Sequence, residues 1–397
     1  MIGLKTYISE DVSEANKQLM HLDHPYQQHV IYGVSGARSA VKHLEHTHDF
    51  FKTGLSNKVS TSRKVDGGVS VIMTKKNGMF SVGTKSSFNK NPKINYTEED
   101  VDKNHGHAPG LAATLKHVLK NGKNLINDNR TVQGDLLYTH DPKEPTPSEP
   151  GYAEGQTRIV PNRIGITHAG KPKAFGIAMH TEYDNEGVAR SGVHPAALND
   201  LKNVFVADTS FHPNPEHYTS DQQKIAEKNL AAAKNIVEKN PQHFSLPAEH
   251  TEHMLTYMNA LRDEKGNLKS PTLQGYKNHL QNVMEREVTK LKTDKSRNAR
   301  MNHYNKLKDE VDYGKDKFQS HFDFHNHLNK VTEALSSTFI KNKPSNFSTD
   351  IDGTPSTDEG VVVANKKTGA ILFKIVPNTI ASALRFNPRF AKQVTRA

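Results

Sequence analysis

The feature that most constrains this chain of 397 residues is that its strand pattern stops and later resumes. Gly360-Val361-Val362-Val363-Ala364-Asn365, a Lys366-Lys367-Thr368-Gly369 turn and Ala370–Val376 read as a short apolar hairpin. Residues 219–341 before it read differently. Asp221–Lys239, Ala248–Arg262, Leu273–Lys292 and Lys306–Phe339 carry apolar positions at helical intervals, such as Leu280, Val283, Met284, Val288 and Leu291. The late hairpin is therefore expected to rejoin an earlier αβ portion, leaving the helices as an insertion in a discontinuous domain. The expected division is 1–210 for the first part, 211–345 for the helical insertion and 346–397 for the second part. The fold class is α+β.

The first part supplies the strands that the hairpin would rejoin. Residues 1–35 read as a short helical lead-in, and Gly33-Val34-Ser35-Gly36 as a break before a partly helical Ala37–Phe51. Val69–Thr74 and Met79–Thr84 flank Asn77-Gly78, the strongest short-range signal for a β-hairpin. Leu111–Lys120 reads as a helix closed by Asn121-Gly122. Thr131–Tyr138, Arg158–Thr167 and Lys173–Thr181 read as strands. Pro142, Pro145, Pro147 and Pro150 make 140–157 a loop.

The stretch Arg63-Lys64-Val65-Asp66-Gly67-Gly68 stands at the head of the hairpin. In extended chain, residues two apart point the same way, so Lys64 and Asp66 are expected to face one pocket. Two glycines allow close approach to the backbone. A free lysine amine has a pKa of about 10.4, so it attacks an electrophile only after neighbouring cations or burial help it lose its proton. The bland alternative is an exposed lysine beside an Asp-Gly turn.

Composition narrows the classes. The absence of cysteine excludes disulfides and thiolate metal sites. No apolar run approaches the ~20 residues of a membrane helix, and Met1–Thr6 lacks an apolar signal region; a cytoplasmic protein with no membrane partner is expected. The net charge of +10 favours a polyanionic partner. Lys290, Lys292, Lys295, Arg297, Arg300, Lys306 and Lys308 would suit phosphate contacts, although a helical bundle with a solvated face explains them equally. The 23 histidines include Asn104-His105-Gly106-His107 and His321-Phe322-Asp323-Phe324-His325-Asn326-His327. No tight four-ligand spacing appears among them, so they read as surface or helix-packing residues.

Taken in order, the motifs resemble the covalent nucleotidyltransferases, the superfamily of ATP-dependent polynucleotide ligases and mRNA capping enzymes. Lys64-Val65-Asp66-Gly67 is similar to the nucleophile motif of that family, Gly83-Thr84-Lys85 to a segment that contacts ribose or phosphate, and Gln133-Gly134-Asp135-Leu136-Leu137 to a motif with an acidic residue after glycine. Asp358-Glu359-Gly360-Val361-Val362-Val363 and Phe373-Lys374-Ile375-Val376 are similar to the last two active-site motifs. The resemblance spans residues 64–374. Two departures stand out: Lys85 replaces the more usual arginine, and Leu372 stands where many members have a second lysine. Val59–Asp135 also resembles uncharacterised proteins of large tailed phages, which would place the protein in a host cytoplasm.

The resemblance implies an adenylation-type fold of antiparallel sheets with helices. It implies ATP and Mg²⁺ as cofactors and Lys64 as the residue that becomes lysyl-AMP. Lys374 would hold the α-phosphate. Asp66, Gly67 and Lys85 would line the nucleotide site, and Asp135 and Glu359 would bind the nucleotide and the metal. Phe175 would stand either against the adenine or in the core. The implied activity is that of an ATP-dependent ligase, expected as a monomer, sealing 5′-phosphate and 3′-hydroxyl ends. RNA is slightly preferred, because the 23 residues after Lys374 are too few for the barrel that DNA ligases carry there. The alternatives are a DNA ligase, or a non-catalytic nucleic-acid-binding or virion-associated protein that keeps the fold. The helical insertion would be the nucleic-acid clamp.

Overall fold

A computed structural model describes residues 23–65, 67–140, 155–161, 164–184, 189–193, 198–199, 202–261, 269–342, 344, 346–351, 353–356 and 359–378. In chain order it opens with helices α1 (Gln28–Ile31) and α2 (Gly33–Thr53). Strands β1 (Val59–Lys64), β2 (Ser70–Lys76), β3 (Met79–Gly83) and β4 (Ile94–Asn95) follow, then α3 (Glu98–His105) and α4 (Pro109–Asn121). Next come β5 (Arg130–Thr139), β6 (Gln156–Ile159), β7 (Gly165–Ala169), β8 (Phe175–Tyr183), β9 (Ala189–Ser191) and β10 (Val204–Ala207). Five helices succeed them: α5 (Ser220–Lys239), α6 (Ala248–Ala260), α7 (Leu273–Val288), α8 (Asp294–Tyr313) and α9 (Lys315–Ser336). The strands β11 (Ser348–Ile351), β12 (Thr354–Ser356), β13 (Gly360–Asn365) and β14 (Ile371–Ile375) come last. The protein is mixed α and β, with largely antiparallel sheets. Among the described residues no helix is long and apolar enough to cross a membrane.

The chain divides into two compact units, each built from separated segments. The sheet unit takes Thr53–His217 and Ser337–Val376. The helical unit takes 23–52 and Tyr218–Ser336. The sequence places α2 with the first αβ part, whereas α2 belongs to the helical unit. Its Leu44 and Phe51 are fully buried, and Lys52 and His48 both meet Glu227 of α5.

Among the described residues the sheet unit holds three sheets. The central one has seven strands, ordered β10-β8-β5-β2-β3-β4 with β9 on β8. Its strands alternate, so one face collects Val71, Met73, Val82, Val132, Ile177 and Met179 under Leu115, Val118 and Leu119 of α4. The opposite face is polar: Ser70, Gln133, Asp135, Thr181 and Tyr183 lie along it at register positions. The β2–β3 turn is tight, and Asn77 (φ 50°) and Gly78 (φ 75°) take the left-handed conformation expected of Asn-Gly. A second sheet joins β1-β13-β14, and a third orders β12-β11-β7-β6.

Several boundaries differ from the sequence reading. Arg158–Thr167 is two strands, β6 and β7, with 160–164 between them. Lys306–Phe339 is not one helix: α8 starts at Asp294, where the Thr293 side chain accepts from the Ser296 amide, and ends at Gly314 before α9 begins. Gly33–Gly36 does not interrupt the chain but forms the first turn of α2. The expected helical lead-in over 1–22 and most of the proline-rich loop, 141–154, lie outside the described residues.

In the helical unit, α7 and α8 form an antiparallel hairpin. Lys277 pairs with Asp312, Gln281 with Lys308, and Glu287 with Arg300, so the partners step down one helix as they step up the other. Tyr276, Leu280 and Met284 of α7 pack with Tyr304, Leu307 and Val311 of α8, and with Phe318 and Phe322 of α9.

Candidate active site

β1 and β13 pair antiparallel over six positions, from Val59 opposite Asn365 to Lys64 opposite Gly360. β14 adds to the other side of β13, with Lys374 opposite Val362 and Phe373 opposite Val363. Pleating then sorts the side chains. Val361, Val363, Phe373 and Ile375 share a face and are buried. Ser62, Lys64, Val362 and Lys374 share the other. Lys64 and Lys374 sit two strands and two residues apart, about 12 Å between Cα atoms on standard sheet spacing. Two long side chains can converge across that gap on one polyphosphate.

The end of β1 meets the start of β13, and there Lys64 Nζ lies 2.7 Å from Glu359 Oε2. The side chains retain only 13% and 17% of their exposure. The glycine after Glu359 has a reason: a Cβ at Gly360 would stand 2.2 Å from the Ile375 carbonyl oxygen of β14. Only a residue without a side chain lets β14 close on β13 at this point.

Chain leaving Lys64 crosses from the small sheet to the central one. Val65 packs against the cluster of Leu137, Ile166, Phe205 and Phe347. Gly67 passes so close to β5 that a Cβ would lie 2.4 Å from the Leu136 carbonyl oxygen and 2.9 Å from Asp135 Cβ. The Gly68 amide donates to that same carbonyl at 2.8 Å. The lysine loop is thereby laid against Asp135. Asp66 lies outside the described residues.

Asp135 projects from the polar face of the central sheet, opposite Ser70 and Ala178. A bulge near Gln133 and Gly134 leaves His180 of β8 without a register partner, which is how a strand re-aims one side chain. Its Nε2 comes within 3.4 Å of Asp135 Oδ1 while Nδ1 bonds Thr181 Oγ1 at 2.8 Å. On the same face Gln133 bridges Ser70 Oγ, to which its amide donates, and Tyr183, whose hydroxyl donates to the Gln133 carbonyl. The ring of Phe88 lies 4.6 Å from that of Tyr183.

The structure thus brings Lys64 to Glu359 and Gly67 to Asp135 within one unit, with Lys374 on the same sheet face as Lys64. Lys85 is exposed in a single 3-10 turn after β3, which packs on β2 near the same end of the central sheet. Phe175 does not join them. It is fully buried in the apolar cluster beneath α4, so its ring offers no face to a base, and of the two readings of this residue the core one holds. His180, Gln133 and Tyr183 were not singled out from sequence. The trace they leave is the change from alternating Phe175, Ile177 and Met179 to the consecutive polar pair His180-Thr181.

A metal could be held by two carboxylates here. Among the described residues no three His, Asp or Glu side chains gather as a cage. Magnesium does not need one, since it keeps several waters and takes one or two carboxylates together with nucleotide phosphates. Glu359 and Asp135 are oxygen donors of that kind.

Nearby, β6 and β11 are tied across β7. Arg158 donates to Asp350 through Nε at 2.9 Å and Nη2 at 2.7 Å, a two-pronged pair with both side chains about nine-tenths buried. Burial raises the Asp350 pKa, but the bonds from Arg158 and from the Gly353 amide outweigh it and hold the carboxyl below its ordinary value. The pair anchors the β11–β12 hairpin that precedes Glu359.

No curated protein matches the chain, and no solved structure does. One family model matches it, over residues 16–389: that of a family of unknown function, DUF6267. The match covers nearly the whole sequence, and the chain belongs to that family.

Proposed function

We propose that this chain is an ATP-dependent nucleotidyltransferase of the polynucleotide-ligase type, with the antiparallel adenylation fold, working through a lysyl-AMP intermediate at Lys64. The observation that carries the reading is the 2.7 Å contact of Lys64 with Glu359. Residues 295 positions apart in sequence meet at paired strand ends, with Lys374 on the same sheet face.

In the first half-reaction the Lys64 amine attacks the α-phosphorus of ATP. A P–N bond forms, the bond to the β-phosphate oxygen breaks, and pyrophosphate leaves. The lysine must first lose a proton, which neighbouring cations favour, and Glu359 holds the amine in place at 2.7 Å. Lys374 would neutralise charge on the α-phosphate oxygens as they crowd, and Lys85 would meet phosphate from outside. Glu359 and Asp135 would hold Mg²⁺, which when bound offsets phosphate charge. In the second stage AMP passes to a 5′-phosphate end, and a 3′-hydroxyl then displaces it to join the strands. RNA and DNA ends are both candidates, RNA first.

A second reading is a binding protein that keeps the fold without turnover, favoured by Leu372 in place of a second lysine beside Lys374. Incubation with α-labelled ATP and Mg²⁺ followed by a denaturing gel separates the two. Acid-labile label on the wild type, absent from Lys64→Ala, is the expected result. An unlabelled wild type would reject the enzyme reading. Label from GTP instead of ATP would point to capping, and nicked RNA, DNA and hybrid duplexes side by side identify the polymer.

A further inference from the structure

The tip of the α7–α8 hairpin lies beyond the last buried residues of its core. The buried residues nearest its tip are Met284 on α7 and Tyr304 on α8, and none of 285–303 is buried. At 1.5 Å per residue, α8 runs about 15 Å from Tyr304 back to Asp294. A helix with no apolar face at that end gains nothing from packing there.

Its charges are as unusual as its exposure. Between Arg286 and Arg300 stand six cations (Arg286, Lys290, Lys292, Lys295, Arg297 and Arg300) and two carboxylates, Glu287 and Asp294. Both carboxylates are already taken: Glu287 by Arg300 at 3.2 Å and Asp294 by Arg297 at 2.9 Å. Lys290, Lys292 and Lys295 are exposed and have no carboxylate within ion-pair distance among the described residues. Further from the tip some cations are matched, such as Lys277 with Asp312 and Lys306 with Glu310 on the same two helices. Like charges collected at one tip repel one another unless a partner supplies the countercharge.

We infer that the tip of the α7–α8 hairpin, through Lys290, Lys292 and Lys295, is a docking surface for the phosphodiester backbone of a polynucleotide. Of the seven cations that the sequence offers for phosphate contact, the structure separates these three from the four that are held within the protein. Arg297 and Arg300 are paired as described, Lys306 reaches Glu310, and Lys308 donates to Gln281. Three exposed ammonium groups at a hairpin tip suit a repeating anion read by charge and not by sequence. The exposed Asn298 and Asn302 on the adjoining turns add neutral donors. The inference concerns binding alone and does not depend on chemistry at Lys64.

The test is fluorescence anisotropy of the full chain with short labelled RNA and DNA, single strands and duplexes, over a series of salt concentrations. Wild type is expected to bind with a steep salt dependence. Lys290→Gln/Lys292→Gln/Lys295→Gln changes only exposed side chains and is expected to fold, which circular dichroism checks. It should bind at least about tenfold more weakly, and the slope of log K against log salt should shrink by about 2. Lys277→Gln, at a paired cation on the same hairpin, should leave the slope unchanged. An unaltered slope in the triple variant overturns the inference. So does wild type that binds no polynucleotide, or that binds only vesicles containing phosphatidylserine. A protein that binds but never takes the ATP label would remove the nucleotidyl reading and leave this one standing.

Discussion

Lys64 has to end β1 facing the small sheet's polar side, and its loop must then cross to β5 without lifting away from Asp135. Gly67 makes that crossing possible, because its neighbour is backbone that cannot yield: the Leu136 carbonyl at 2.4 Å from a would-be Cβ. Gly67→Ala is therefore expected to cost about 1–3 kcal/mol by overpacking, and to displace the lysine loop. Label transfer to Lys64 should fall much further than stability does. Gly68→Ala is the control, since its Cβ would meet its nearest atom at an ordinary 3.7 Å. Thermal melts and labelling rates of the two variants, compared directly, decide the matter; equal rates would mean the close approach at Gly67 does not set the position of Lys64. Single residues were legible in sequence where a glycine or a charge stood beside a strand. Asp135, Glu359 and Lys374 are such cases for position, each lying on or beside a strand expected there. Phe175 was ambiguous because an aromatic in a strand faces core or cleft according to register, and β5 and β8 carry two register shifts that local pattern does not record. His180 escaped for the same reason.

At the scale of elements, the helical unit buries imidazoles where a helix bundle usually buries hydrocarbon. His321 and His325 of α9 and His29 of α1 are completely buried. His29 lies 5.0 Å from His321 and 4.8 Å from Phe324, ring to ring, and Tyr26 lies 4.8 Å from His325. His321 Nε2 donates to the His243 carbonyl at 3.1 Å, and Phe244 closes over its ring. Burial lowers all three pKa values, that of His321 to about 3 and that of His325 to about 4, while His29 also feels its two neighbours. Each is neutral when folded and ordinary, near 6.5, when unfolded. Below pH 6.5 the unfolded chain takes up protons that the folded chain refuses, so stability is fully present above that pH and declines as the pH falls toward the folded values. At pH 5 the loss reaches up to about 2 kcal/mol for one such histidine. Helix melting followed by circular dichroism should therefore shift down between pH 7 and pH 5, and less steeply in His325→Leu. A melting temperature that stays flat over that range would show that these rings are not buried neutral. By the lack of ligand spacing the sequence marked these histidines as surface or helix-packing residues, without choosing between the two. It could not show that they lie in the core, since imidazole fits a solvated face equally well. The division of Lys306–Phe339 at Gly314 was missed because glycine is tolerated within helices at a modest cost.

For the molecule as a whole, the decisive fact is that β1 has its partner almost three hundred residues away. The sheet unit cannot complete the Lys64–Glu359 contact until β13 returns and pairs over its six positions with β1. The α7–α8 hairpin is by contrast local, its partners meeting within Leu273–Tyr313. Closing a long loop is entropically dearer and slower than forming neighbouring helices. This wide return was visible in sequence, because an apolar hairpin after a helical stretch needs a sheet to join. The assignment of α2 to the helical unit was not, because its apolar spacing says that it is buried and not against which partner. After dilution from denaturant, far-ultraviolet helical signal is expected to recover first and competence for lysyl-AMP formation last, with a separate, slower time constant. Stopped-flow circular dichroism, paired with quenched labelling at increasing refolding times, measures both. Coincident recovery would mean that the two units fold as one cooperative body, and that β1–β13 closure is not the late step.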